Sequence, residues 1–277
     1  LMNYRGVKQV ARGVAASDGA GVKLTRVIGN SYVPRVDPFL MLDEFKSDDK
    51  ADYMAGFPMH PHRGFETVTY ILQGAFRHRD NQGNEGYLRP GSIQWMTAGR
   101  GIVHEEMPNQ DDGPVWGFQL WVNLPAKDKM TAPRYQDISP EAIPVVPTQT
   151  GQVNVLVGEF GDSRGPVTDI ATDPLYLDVS IDQAKGEQQI EVPADKQAFV
   201  YVYQGEASIE GQTLPERHLA ILGKGDILKV TALTADTRFL VVAGRPINEP
   251  VAQYGPFVMN TVAEVEQAIT DFNEGRF

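Results

Sequence analysis

The 277-residue sequence predicts an all-β chain of two stacked antiparallel barrels with a short helix near its C-terminal end. Three observations carry that expectation. The 27 glycines and 19 prolines exceed average usage and suit short strands joined by many turns. Tyr70-Ile71-Leu72-Gln73-Gly74 is echoed by Tyr201-Val202-Tyr203-Gln204-Gly205, and Pro90-Gly91-Ser92-Ile93, more loosely, by Lys224-Gly225-Asp226-Ile227, as two copies of one barrel would be. Near the end, Thr261-Val262-Ala263-Glu264 has capping-box spacing, and Val262, Val265, Ala268, Ile269 and Phe272 follow at helical intervals.

The elements follow in chain order. Residues 1–10 carry polar and charged side chains and lack the apolar stretch of a signal peptide; Leu1, which precedes Met2, is set aside in reading the fold. His60-Pro61-His62 leads through Arg63-Gly64-Phe65 into residues 66–72, rich in β-branched and aromatic side chains and closed by Gln73-Gly74. Pro90-Gly91 marks a turn before a strand over 92–97, and Gly99-Arg100-Gly101 reads as a tight turn into Ile102-Val103-His104. The Pro-rich stretch between Lys127 and Pro147 places the domain boundary, giving an N-terminal domain over 1–136 and a C-terminal domain over 137–277. The narrow stripe of the last helix is expected to pack on the protein's own barrel.

Three of the five histidines sit in His60-Pro61-His62 and His104-Glu105-Glu106. On an extended strand, residues two apart point to one face. His60 and His62 can therefore aim two imidazoles at a single point, with His104 and Glu106 adding an imidazole and a carboxylate from a second strand. In a small barrel that point lies in the lumen. Three nitrogens and one oxygen suit iron, manganese, nickel, copper or zinc rather than calcium or magnesium. Glu66 has the same parity as His60 and His62, so spacing alone leaves Glu66 and Glu106 both open as the carboxylate ligand. His78 and His218 are single histidines on strand-like segments and read as satisfied structural residues. Aligning Gly74 on Gly205 puts His60 on Glu191 and His62 on Pro193. Aligning Gly91 on Gly225 puts His104 on Arg238 and Glu106 on Leu240, so the second barrel is expected to hold no metal.

Five blocks resemble the pirin family: Asp37-Pro38-Phe39-Leu40, the run from His60 to Val68, the run from Gln94 to His104, Gln119-Leu120-Trp121-Val122-Asn123-Leu124, and Gly255-Pro256-Phe257-Val258-Met259-Asn260-Thr261. The resemblance covers essentially the whole chain. It implies two cupin (double-stranded β-helix, jelly-roll-like) barrels with one mononuclear iron, Fe(II), in the first. The family's ligand pattern falls on His60, His62, His104 and Glu106, which leaves Glu66 as a partner that orients an imidazole. The resemblance also implies a quercetin 2,3-dioxygenase activity on a small aromatic, flavonol-like substrate and dioxygen, with Glu106 as the base that takes the substrate's hydroxyl proton. Animal pirins supply the alternative, an iron-dependent regulator that binds a protein partner according to metal redox state.

Composition narrows the partners. A formal net charge of −11 argues against direct nucleic-acid binding, which needs a basic surface. No apolar run approaches the ~18 residues of a spanning helix, so no membrane association is expected. The absence of cysteine is consistent with a reducing compartment, and a cytoplasmic location is expected.

Overall fold

The computed structural model describes residues 2–110 and 113–277; Leu1 lies outside them. Strand pairing organises nearly all of it, and the single α-helix among the described residues is Val262–Asn273. That helix is neither long nor apolar enough to cross a membrane. Two compact units emerge, and neither is contiguous in sequence: one comprises Val14–Asn30, Phe39–Pro140 and Ile247–Phe277, the other Leu1–Gly13, Ser31–Pro38 and Glu141–Pro246. Arg134–Ile138, which spans position 136, pairs with Ile93–Thr97 of the first unit.

The first unit is a cupin barrel of two antiparallel sheets. One has the order Arg134–Ile138, Ile93–Thr97, Phe65–Gln73, Val115–Asn123, Phe39–Ser47, Val22–Ile28, Val14–Asp18, and the other Phe57–His62, Ile102–Pro108, Phe76–Asp80, Glu85–Leu88. Alternation decides which residues enter the lumen. On Phe65–Gln73 the odd positions face inward, and Thr69 reaches Glu106 and Gln119 there. Val22, Leu24, Phe45, Tyr53, Ile71 and Phe76 form an apolar cluster in the same unit.

The second unit repeats the plan, with Val7–Arg12 added beside His218–Leu222 at the sheet edge. Its pairings correct the expected equivalences. Gly225, at φ 152°, precedes strand Ile227–Ala232 just as Gly101, at φ 148°, precedes Ile102–Pro108. The Pro90-Gly91 echo is therefore one hairpin out of step. In register, Leu228 faces Ile190 as His104 faces His60. The ligand positions thus map onto Ile190, Val192, Leu228 and Val230 rather than Glu191, Pro193, Arg238 and Leu240. All four are buried in one aliphatic core, which has no donor for a metal.

The C-terminal helix begins as expected. Thr261 Oγ1 accepts from Glu264 N–H at 3.2 Å and donates to Glu264 Oε1 at 2.9 Å. Its stripe is only half used, however: Val265 and Ala268 are buried, whereas Val262 is 69% and Phe272 37% exposed. Apolar spacing marks a face but does not say how far the neighbouring surface extends beneath it.

Candidate metal centre

Antiparallel pairing brings three imidazoles together. Phe57–His62 runs against Ile102–Pro108 with His60 opposite His104 and His62 opposite Ile102. His104 Nε2 lies 2.9 Å from His60 Nε2 and 3.0 Å from His62 Nε2, and the three donor atoms all fall within 4.8 Å of one another. His62 and His104 are buried. Burial holds both well below the usual histidine range, with repulsion from neighbouring imidazoles adding to it; His60 is lowered as well, chiefly by burial. The rings are therefore neutral at pH 7. His60 Nδ1–H donates to the Pro58 carbonyl at 2.8 Å, which leaves the lone pair on Nε2 aimed at the cluster.

Neutral imidazoles so arranged satisfy one another poorly, because one N–H serves only one neighbour. Nitrogen donors at about 2.0–2.1 Å from a common ion and at right angles to each other would lie about 2.9–3.0 Å apart. Both spacings around His104 lie close to that value, so the donor set suits a transition-metal ion.

Glu106 follows His104 by two residues, across a bulge in the pairing with Phe57–His62. It is buried, and it does not belong to the converging trio. Burial raises its pKa to about 7 against the opposing hydrogen bond from Thr69, whose Oγ1 lies 3.3 Å from Oε1. The single Thr69 hydroxyl proton is shared between Glu106 and the nearer Gln119 Oε1, 2.6 Å away. The lumen wall beside the trio is aromatic: His62 meets Phe65 and Trp121 edge-on, with ring centroids at 5.2 and 5.6 Å.

His78 has a larger part than a lone histidine on a strand suggested. It is buried opposite Glu106 in the register, and its Nε2 lies 2.9 Å from His104 Nδ1. With His104 ligating through Nε2, its Nδ1–H donates to His78, which fixes both tautomer and ring plane. Replacing His78 by alanine should keep metal stoichiometry near one per chain but weaken affinity roughly 10–100-fold, as measured by chelator competition. His218 bonds the Glu216 carbonyl in the other unit and stands apart from the cluster.

Glu66 contradicts the parity argument. The turn at Arg63-Gly64, with Gly64 at φ 91°, separates its strand from that of His60 and His62 and resets the alternation. Glu66 faces away from Thr67 and Thr69. Its Oε2 accepts from Trp95 Nε1 at 3.0 Å and Thr97 Oγ1 at 2.5 Å, and no imidazole contacts it among the described residues. Its Oε1 is buried without a partner among the described residues, and burial raises its pKa to about 7. The folded state thus holds a proton that the unfolded chain releases near 4.3. That stabilising contribution is complete below about pH 4 and is lost as pH rises through about 7. Glu66→Gln, permanently neutral, should be more stable than the wild type by roughly 2–4 kcal/mol at pH 8 and nearly equal at pH 4. Denaturant unfolding at the two pH values checks this.

Comparison with known proteins places the chain. It matches the pirin family model over residues 21–122 and the pirin C-terminal cupin domain over 176–277. It is 49% identical over 279 residues to a pirin-like protein of Caulobacter vibrioides, covering 100% of both chains. Identity to the pirin of Mus musculus is 43% over 267 residues, covering 94% of this chain and 89% of that one. Among solved structures, quercetin 2,3-dioxygenase from Acinetobacter baumannii superposes with a TM-score of 0.91 at 34% identity, covering 99% of this chain and 98% of that one. With both barrels matched and whole-length identity near one half, the chain belongs to the pirin family.

Proposed function

We propose that this pirin is an iron-dependent dioxygenase that opens flavonols such as quercetin, with Fe(II) held by His60, His62, His104 and Glu106. The convergence of three neutral imidazole nitrogens in an aromatic-walled lumen carries the reading. Similarity to a solved quercetin 2,3-dioxygenase supports the substrate class. Manganese, nickel, copper or zinc could be held by the same donors.

Bound iron would supply open positions for both reactants and the electronic coupling between them. The protein's own groups do the rest. Trp121, partly exposed and backed by the buried Phe65, offers a flat surface against which a fused aromatic ring can pack. Glu106 would take the proton of the flavonol 3-hydroxyl as the carboxylate beside the reacting centre. In the net reaction both atoms of dioxygen enter an ester product and the carbon bearing that hydroxyl leaves as carbon monoxide. Metal analysis of anaerobically purified protein, followed by quercetin-dependent oxygen uptake and carbon monoxide detection, tests this. Near-stoichiometric iron with no uptake would sink it.

One observation favours a second reading. Arg63, adjacent to His62, donates to Asp271 of the C-terminal helix at 2.7 Å, a route by which the metal's state could reach the surface. An iron-dependent regulator that binds a protein partner would use it. Partner affinity that changes with iron oxidation state, in a protein without oxygen uptake, would select that reading.

A further inference from the structure

We propose that Lys129 is a positioning residue of the metal centre: a buried ammonium in no salt bridge, whose three protons lock the turn that follows His62. The proposal rests on the trio being a metal site. Lys129 is 1% exposed, and among the described residues no carboxylate lies within ion-pair distance of it. Its Nζ donates to Gly64 O at 2.8 Å, Asn123 Oδ1 at 2.7 Å and Val258 O at 2.8 Å, so every proton is used and every acceptor is neutral. Burial lowers its pKa to about 8, against the opposing charges of Glu249 and Glu264.

An isolated ammonium is among the least favourable groups to bury, and a methionine would fill the same space without desolvation. What the methionine lacks is three donors radiating from one point. The three acceptors belong to three segments: the turn out of His62, the end of a lumen-wall strand, and the segment paired with Arg63. Gly64 ends the turn out of His62. Its N–H donates to Gly99 O at 2.8 Å, and Arg63 Nε donates to Arg100 O at 2.5 Å, so the turn leaving His62 is tied to the glycine turn entering the strand of His104. Arg100 N–H in turn donates to Thr131 O at 2.9 Å, two residues beyond Lys129. Val258 N–H donates to Arg63 O at 3.0 Å, and the backbone approaches so closely here that a Cβ on Gly64 would collide with the Val258 carbonyl. Asn123 ends the strand that carries Trp121 of the lumen wall. Lys129 thus fixes the turn that leaves His62 against the end of the Trp121 strand and against Val258, and so holds the end of the ligand strand from which the His62 ring projects.

The test compares wild type, Lys129→Met, Lys129→Gln and Asn123→Ala for Ni(II) affinity by chelator competition and for the electron paramagnetic resonance spectrum with Cu(II). Lys129→Met should bind Ni(II) at least roughly tenfold more weakly and give an altered, broadened Cu(II) spectrum. Lys129→Gln, which keeps N–H donors, should recover part of both. A folded Lys129→Met with wild-type affinity and spectrum would overturn the inference, leaving lysine with a role in the fold alone. If Lys129→Met does not fold, Asn123→Ala decides, with severalfold weaker binding expected and no change overturning. Failure of the wild type itself to bind Ni(II) at one per chain would instead overturn the metal centre, and this inference with it.

Discussion

His104→Ala is expected to abolish metal binding, and with it any flavonol-dependent oxygen uptake. Of the three imidazoles His104 is the central one: its Nε2 lies within 3.0 Å of both other donors, and its Nδ1 is bonded to His78. Removing it deletes a ligand and leaves His78 Nε2 without its partner in a buried site. Loss of an orienting partner alone typically weakens a metal 10–100-fold, so loss of this ligand should exceed about a hundredfold. His62→Ala should behave alike, because His62 is a member of the converging trio, buried against Phe65 and Trp121. His218→Ala, on the other unit, is the control and should retain wild-type stoichiometry. Elemental analysis after loading and desalting is the measurement. Full occupancy in His104→Ala would mean that the ion is held elsewhere.

Glu106→Gln is expected to lower turnover by about 10²–10⁴-fold while much of the metal is retained. An amide oxygen still offers a weak ligand atom, but it cannot take a proton. The surroundings of Glu106 favour survival of the fold: Thr69 Oγ1 can donate to an amide oxygen as to a carboxylate, and burial already raises the carboxyl's pKa to about 7, so the neutral group is tolerated there. Turnover and metal content measured on one preparation separate the roles. Metal lost in proportion to activity would make Glu106 a ligand only; metal and activity both retained would remove it from the chemistry. Reloading the wild type with zinc should stop oxygen uptake without displacing the donors, because zinc fits them but has no redox chemistry.

Much of the site was legible because its information is local. Strand propensity, glycine turns and the i, i+2 spacing of His60 with His62 are properties of a few adjacent residues, and the backbone of a strand converts that spacing into a shared direction. The capping of the last helix by Thr261 is local in the same way. Parity, however, holds only within one uninterrupted strand. The turn at Gly64 ended it, and Glu66 went to Trp95 and Thr97 instead of toward the metal.

By itself the sequence determined the all-β character, the three imidazoles and the helix start, because each is written in short-range periodicity, and the two-barrel repeat, because one short strand-and-turn pattern recurs in both halves. Only the tertiary structure decided the rest. His78 became the partner of His104 because Phe76–Asp80 pairs with Ile102–Pro108, and no local pattern encodes which strands pair. The same is true of the second barrel, where cross-strand register, rather than a loose turn echo, put Ile190, Val192, Leu228 and Val230 in the ligand positions. The three oxygens around Lys129 come from segments as far apart as Gly64 and Val258, so the conditions that allow a lysine to be buried there exist only once the chain has closed on itself.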